Sequence, residues 1–163
     1  MGEAEMREYS KISPKVWRSP RFRSLEMDDS RLFYLFLLSC EHQSSAGCFR
    51  LPDAYAAADL NWSVDRLETA RAPLVGDFIV HDAATFEYFI ARWFRHNPTT
   101  NVKHRQGVRR LISELDSDLV REAAEIELEE HEESKNVSAS ASIALSGAND
   151  RLAGSQFLNG RRA

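Results

Sequence analysis

Apolar positions recur with two different periods along this chain, and each change of period marks an element. Leu32, Phe33, Leu35, Phe36 and Leu38 fill most of a helical surface, which predicts a central core helix. Asp28-Asp29-Ser30 just ahead of it supplies oxygens and negative charge suited to a helix start. Ser44-Ser45-Ala46-Gly47 interrupts the pattern, and Cys48-Phe49-Arg50-Leu51 reads as a short strand. Pro52 then fits a first helical turn, with Tyr55, Ala56, Ala58 and Leu60 continuing a second helix. Asn61-Trp62 makes a turn, and Ser63 caps a third helix running to about Leu74. Val64, Leu67, Ala70 and Leu74 recur at helical spacing and are expected to face inward.

Gly76 is placed to end that helix. Beyond it the period shortens to two. Phe78-Ile79-Val80 reads as a strand, His81 to Ala84 as a turn, and Phe86 to Trp93 as a second strand. In that second strand Phe86, Tyr88 and Ile90 alternate with Glu87, Phe89 and Ala91. The order helix, strand, helix, turn, helix, hairpin is that of a winged helix-turn-helix, with Phe78–Trp93 as the wing. The expected class is therefore α+β and mostly helical: a winged helix-turn-helix domain over 9–96, a helical extension over 97–133, and a disordered tail over 134–163. The tail from Ser134 passes through Ser138-Ala139-Ser140-Ala141-Ser142 and then Gly147-Ala148-Asn149-Asp150, with few large apolar groups to offset the entropy of ordering.

Net charge first argues against a polyanionic partner, because the 163 residues sum to −4. Its distribution changes that picture. Residues 1–111 hold sixteen Lys/Arg against fourteen Asp/Glu, whereas 112–133 hold one Arg against ten acids. The tail holds four basic residues and one acid. The acidity thus sits in one helical segment, with Ile112, Leu115, Leu119, Ala123, Ile126 and Leu128 drawn as its apolar stripe. Such a stripe needs a covering partner, either its own domain or a second subunit, or the helix rests on a basic surface and masks it. The longest apolar run, Leu32 to Leu38, is too short for a membrane span. An acidic N-terminus does not suit a secretory signal, so a cytoplasmic address is expected.

Candidate chemistry is that of binding rather than catalysis. Two short helices joined by a tight turn present the second to a major groove about 12 Å wide. On that second helix Ser63, Arg66, Thr69 and Arg71 are the expected DNA contacts, with Arg66 foremost, although Asp65 and Glu68 suit phosphates poorly. A second set, Arg95, His96, Asn97, Lys103, Arg105, Arg109 and Arg110, offers cations and amides to the phosphate backbone. Lys11, Lys15, Arg18, Arg21 and Arg23 form another basic run near the N-terminus. Cys40, His42 and Cys48 fall short of the four ligands of a structural zinc site and read as buried or half-buried thiols. No phosphate-cradling glycine loop, HExxH or GxSxG occurs, so neither enzyme activity nor a cofactor is expected.

Several of these segments together resemble one family. Lys15-Val16-Trp17-Arg18-Ser19-Pro20-Arg21-Phe22-Arg23-Ser24-Leu25, then Asp29 to Leu38, then Ala46-Gly47-Cys48-Phe49-Arg50-Leu51-Pro52 look like the N-terminal domain of phage replisome organisers, relatives of the DnaD-like primosome proteins. Ala57-Ala58-Asp59-Leu60-Asn61-Trp62-Ser63 and Trp93-Phe94-Arg95-His96-Asn97-Pro98 continue the resemblance, which covers about residues 9–115. It implies a winged-helix DNA-binding protein of phage or prophage replication initiation, in the bacterial host cytoplasm. Its partners would be origin DNA and the replicative helicase or its loader, and self-association would be expected. After Glu133 no second domain for helicase contact is recognisable. A protein–protein adaptor and a sequence-specific transcriptional regulator are the alternative readings.

Overall fold

The computed structural model describes residues 10–153, with side chains through 137. The chain is mostly helical with one small antiparallel sheet, an α+β arrangement. It divides into two units, one ending at Glu127 and one beginning at Leu128.

The first unit starts with a 3-10 turn, Pro14–Arg18, whose N-cap Ser13 accepts a bond from the Lys15 amide. Ser19 then caps α1 (Pro20–Arg23) by accepting from the Phe22 amide at 3.4 Å. Neither element was legible in the apolar pattern, because serine-proline steps rather than periodicity create them. α2 (Asp28–Ser39) follows, with Phe33, Tyr34 and Leu37 buried. Its N-cap is Met27, with no side-chain bond. The expected capping oxygens are otherwise engaged: Asp28 holds Arg31 and Asp29 holds Arg66, while the Ser30 hydroxyl is buried without a partner. The two acids still place negative charge at the helix's positive end.

Strand β1 (Cys48–Arg50) leads into α3 (Asp53–Leu60) and α4 (Val64–Arg71), joined by Asn61 in the left-handed conformation at φ 53°. A 3-10 turn, Ala72–Leu74, extends α4. Leu67, Ala70 and Leu74 are fully buried as expected, but Val64 at the first turn is exposed. β2 (Ile79–Asp82) and β3 (Glu87–Ile90) complete a sheet of order β1-β3-β2. The hairpin turn lies at 83–86 rather than 81–84, because His81 and Asp82 pair with Tyr88 and Glu87.

The expected second strand, Phe86 to Trp93, is cut short. Arg92 turns left-handed at φ 66°, and Trp93 opens a helix, α5 (Trp93–His96). β3 is moreover buried on both faces. Tyr88 reaches Arg71 of α4, while Glu87 on the opposite face accepts from the Asp116 and Ser117 amides at 3.0 and 2.7 Å. Alternation marks a half-wet strand only when one face meets solvent. Here the Glu87 carboxylate replaces water with two backbone donors.

One glycine has no substitute. Gly47 sits at φ +71°, and a Cβ there would lie 2.3 Å from the Trp93 ring. The left-handed backbone and the indole's approach both exclude a side chain. The Trp93 indole N–H donates to the Ser45 carbonyl at 3.0 Å, closing the α2–β1 loop over β3's end.

α6 (Val102–Ser113) is N-capped by Asn101, and its inner face carries Val108 and Ile112. The chain then breaks at 114–117, and Ser117 caps α7 (Asp118–Ala153) by accepting from the Val120 amide. That break shifts the phase of the apolar stripe. Val120 and Ala124 are buried, whereas the expected Leu119 and Ile126 are exposed. A stripe drawn through one uninterrupted helix therefore finds the buried Ile112, Leu115 and Leu128 but misplaces Leu119 and Ile126.

The second unit is the remainder of α7, helical to Ala153. The expected disordered tail is thus helical over 134–153, and its last residues, 154–163, lie outside the described residues, as does Tyr9 at the start of the expected domain. Few large apolar groups weaken tertiary packing, but alanine favours the helix itself, so the two properties separate in this segment.

Candidate nucleic-acid interface

The expected reading helix is α4, and its cations are committed inward. Arg71 is only 8% exposed. Its guanidinium donates to Asp53 Oδ1 at 2.6 Å, Asp53 Oδ2 at 3.1 Å and the Tyr88 hydroxyl at 2.8 Å. Burial opposes its charge, yet these partners hold its pKa above the usual arginine value. The helical spacing that placed Arg71 on the outer face failed because Asp53 at the start of α3 supplies a buried counter-ion. Arg71 thus lies in the core rather than on the outer face where it was expected.

Arg66 remains on the surface but is held. It donates to both Asp29 oxygens at 2.7 Å and lies over the Trp62 ring at 4.5 Å. The bond to Arg66 keeps the Asp29 carboxyl below its ordinary range. Ser63 is the N-cap of α4, accepting from the Arg66 amide at 3.2 Å, and the Thr69 hydroxyl donates to the Asp65 carbonyl. What α4 leaves to solvent is largely Val64, Asp65 and Glu68. That face does not attract phosphate.

The second expected set fares differently. Arg95 and His96 are exposed on α5, and Asn97 at its C-cap donates to the Trp93 carbonyl at 3.3 Å. On α6, Lys103 and Arg110 are exposed two turns apart, and Arg110 pairs with Glu114 at 2.8 Å. Arg105 is half-buried, and Arg109, one turn on, is exposed.

The structure joins His96 and Asn97 to the N-terminal basic run. Both line a cleft of 1320 Å³ whose other wall carries Lys11, Lys15, Arg18 and Arg21. Arg92 lines it too, and among the described residues no Asp or Glu does. Phe22, Tyr34, Phe78 and Trp93 are among its lining residues. Arg21 and Arg92 share Asp77, at 2.9 and 3.8 Å, and the Arg21 guanidinium lies 4.1 Å from the Phe78 ring centre. Lys15 and Arg18 make no ion pair with any described residue. Five cations therefore line one concavity, and Asp77 neighbours two of them, Arg21 and Arg92.

Sequence reasoning named most of these cations but not the cleft. Arg92 was hidden in a misread strand, and Trp17, 62% exposed between Lys15 and Arg18, stood only within a longer motif. The signal was present, since Lys-Val-Trp-Arg interleaves an aromatic ring with cations.

Both cysteines are free and buried. Burial pushes the Cys40 thiol up to about 11 and the Cys48 thiol to about 12, which keeps both protonated and unreactive. Among the described residues no group of three or more His, Cys, Asp or Glu is placed to hold a metal ion, and no helix is long and apolar enough to cross a membrane. No family model, curated protein or solved structure matches the chain.

Proposed function

We propose that the protein binds DNA through this cationic cleft and the adjoining α5–α6 surface, on a winged-helix scaffold whose α4 does not read bases. The observation that carries the reading is the convergence of Lys11, Lys15, Arg18, His96 and Asn97, from distant stretches of sequence, on one concavity with no Asp or Glu among its described lining residues. Lys15 and Arg18, which pair with no described acid, can displace counter-ions from phosphate, and this release drives backbone binding. Arginines already satisfied by carboxylates, like Arg66 and Arg71, gain little from the same encounter. The order α2, β1, α3, α4, β2, β3 supports the winged-helix scaffold.

Backbone binding of this kind is weakly sequence-selective, which favours a replication or architectural role over a sequence-specific regulator. The place in phage or prophage replication initiation, with a helicase or loader as partner, rests on the family resemblance.

The test is a gel-shift series at two salt concentrations with the full chain. Binding should weaken steeply as salt rises. Replacing Lys15, Arg18, Arg95 and Lys103 with alanine should reduce the salt slope by about 1 per lost phosphate contact. Absence of binding to duplex and single-stranded DNA at low salt overturns the reading.

An adaptor role is the second reading. Tyr55 of α3 is 57% exposed and Val64 of α4 is 42% exposed, an apolar pair on helices whose outer charges are acidic. A helicase or loader retained from lysate after nuclease treatment, and released by Tyr55→Ala with Val64→Ser, favours it.

A further inference from the structure

We propose that the cleft and its rim are a binding site for single-stranded nucleic acid, in which Trp17 stacks on a base while Lys15 and Arg18 hold the flanking phosphates. This rests on the nucleic-acid reading above and specifies the strand state that the site takes.

Three independent features of the same segment point there. First, the cleft is larger than the roughly 300–1,000 Å³ of a small-molecule pocket, so it suits an extended chain rather than a compact ligand. Second, its lining combines these cations with the aromatic residues Phe22, Tyr34, Phe78 and Trp93. A cationic groove with aromatic rings is how single strands are held, because every base offers a face for stacking whatever its identity. Third, Trp17 keeps most of its surface in water, although its sequence neighbours Val16 and Arg18 both line the cleft.

Trp17 is exposed but not loose. It lies on the 3-10 turn capped by Ser13, and its ring meets Phe22 at 5.6 Å with planes 84° apart. Phe22 is buried and packs in turn toward Tyr34 at 6.2 Å. An edge-to-face contact of this kind fixes the indole while leaving apolar surface for another ring. A fixed ring loses little entropy when a base covers it.

Strand state follows from what each ligand offers. A duplex keeps its base faces inside the stack, so an exposed indole finds no partner there. A single strand presents bases and phosphates together. Lys15 and Arg18 lie on either side of Trp17 in sequence and make no ion pair with described residues, so phosphate contact breaks no existing bond. The chemistry is common to single-stranded DNA and RNA.

The experiment compares the full chain with Trp17→Ala and Trp17→Phe, using short oligo(dT), short oligo(U) and a duplex of equal length. Affinities come from fluorescence anisotropy and folding from thermal melts. Oligo(dT) should quench tryptophan emission in the native protein, and Trp17→Phe, which keeps Trp62 and Trp93, should abolish most of that quenching. Trp17→Ala should weaken single-strand binding about tenfold to a hundredfold, with duplex binding nearly unchanged. Trp17→Phe should recover much of the loss. Preference between oligo(dT) and oligo(U) distinguishes a DNA from an RNA ligand. Unchanged single-strand affinity in a folded Trp17→Ala, or equal losses on single strand and duplex, overturns the proposal. Duplex binding without oligonucleotide binding overturns it while leaving the broader reading intact. Absence of all three overturns both.

Discussion

α4 and the N-terminal turn each carry two cations, at least one of them beside a tryptophan, and they use them in opposite ways. On α4, Arg66 lies over Trp62 and grips Asp29, while Arg71 grips Asp53 from inside the core. On the turn, Lys15 and Arg18 flank Trp17 and make no ion pair with described residues. Composition alone does not separate the two segments. Their counter-ions do, because a cation's availability depends on which carboxylates the fold brings to it. A basic residue on a presumed reading helix is therefore weak evidence of contact until its partners are known.

The largest effect should come from breaking the inner pair. Arg71→Ala leaves Asp53 without its cation and the Tyr88 hydroxyl without its donor, a loss of about 3–5 kcal/mol. Urea unfolding measures it, and Arg71→Ala in combination with Asp53→Ala should recover part of the loss. If Arg71→Ala instead kept full stability and lost DNA binding, the assignment of Arg71 to the core would be wrong.

A smaller effect comes from pH. The His81 ring lies 4.3 Å from that of Tyr88, and burial, with the nearby Arg71 charge, pulls its pKa down to about 4. Asp53 and Asp82 oppose that shift without cancelling it. The unfolded chain, titrating near 6.5, binds a proton that the folded chain refuses. Stability should accordingly be complete above pH 6.5 and decline as pH falls toward 4. Partial exposure of the ring limits the loss to about 1 kcal/mol. His81→Phe should flatten this part of the stability profile, and an unchanged slope would rule His81 out.

The smallest effect belongs to Arg66. Arg66→Ala should leave affinity for duplex and single-stranded DNA unaltered, since its guanidinium is already satisfied by Asp29. A clear drop would return α4 to the interface and erase the contrast between the two segments.

How much was readable beforehand follows the same division. Periodicity located α2, β1, α3, α4 and both strands of the hairpin, because those elements bury one side against a common core. It misplaced what depends on partners distant in sequence. Nothing near Glu87 in sequence marks it as buried, yet it lies under the start of α7 and accepts from two backbone amides there. Leu119 and Ile126 were read as inward, yet Ser117 restarts the helix and turns them out. Arg71 was read as outward because nothing nearby in sequence announces Asp53. The cleft was invisible for a related reason: it needs the Pro14–Arg18 turn and α5 side by side, and neither has an apolar repeat.

One carboxylate of the acidic stretch has a duty unlike its neighbours'. Glu127 of α7 accepts from the Arg92 and Phe94 amides at 2.7 and 3.0 Å, filling the open donor end of α5. The negative block thereby anchors the short helix that presents Arg95 and His96. A version of the protein trimmed ahead of Glu127 would lose the carboxylate that caps these two amides, leaving the leading turn of α5 held by the Trp93 indole bond to the Ser45 carbonyl among the contacts described above.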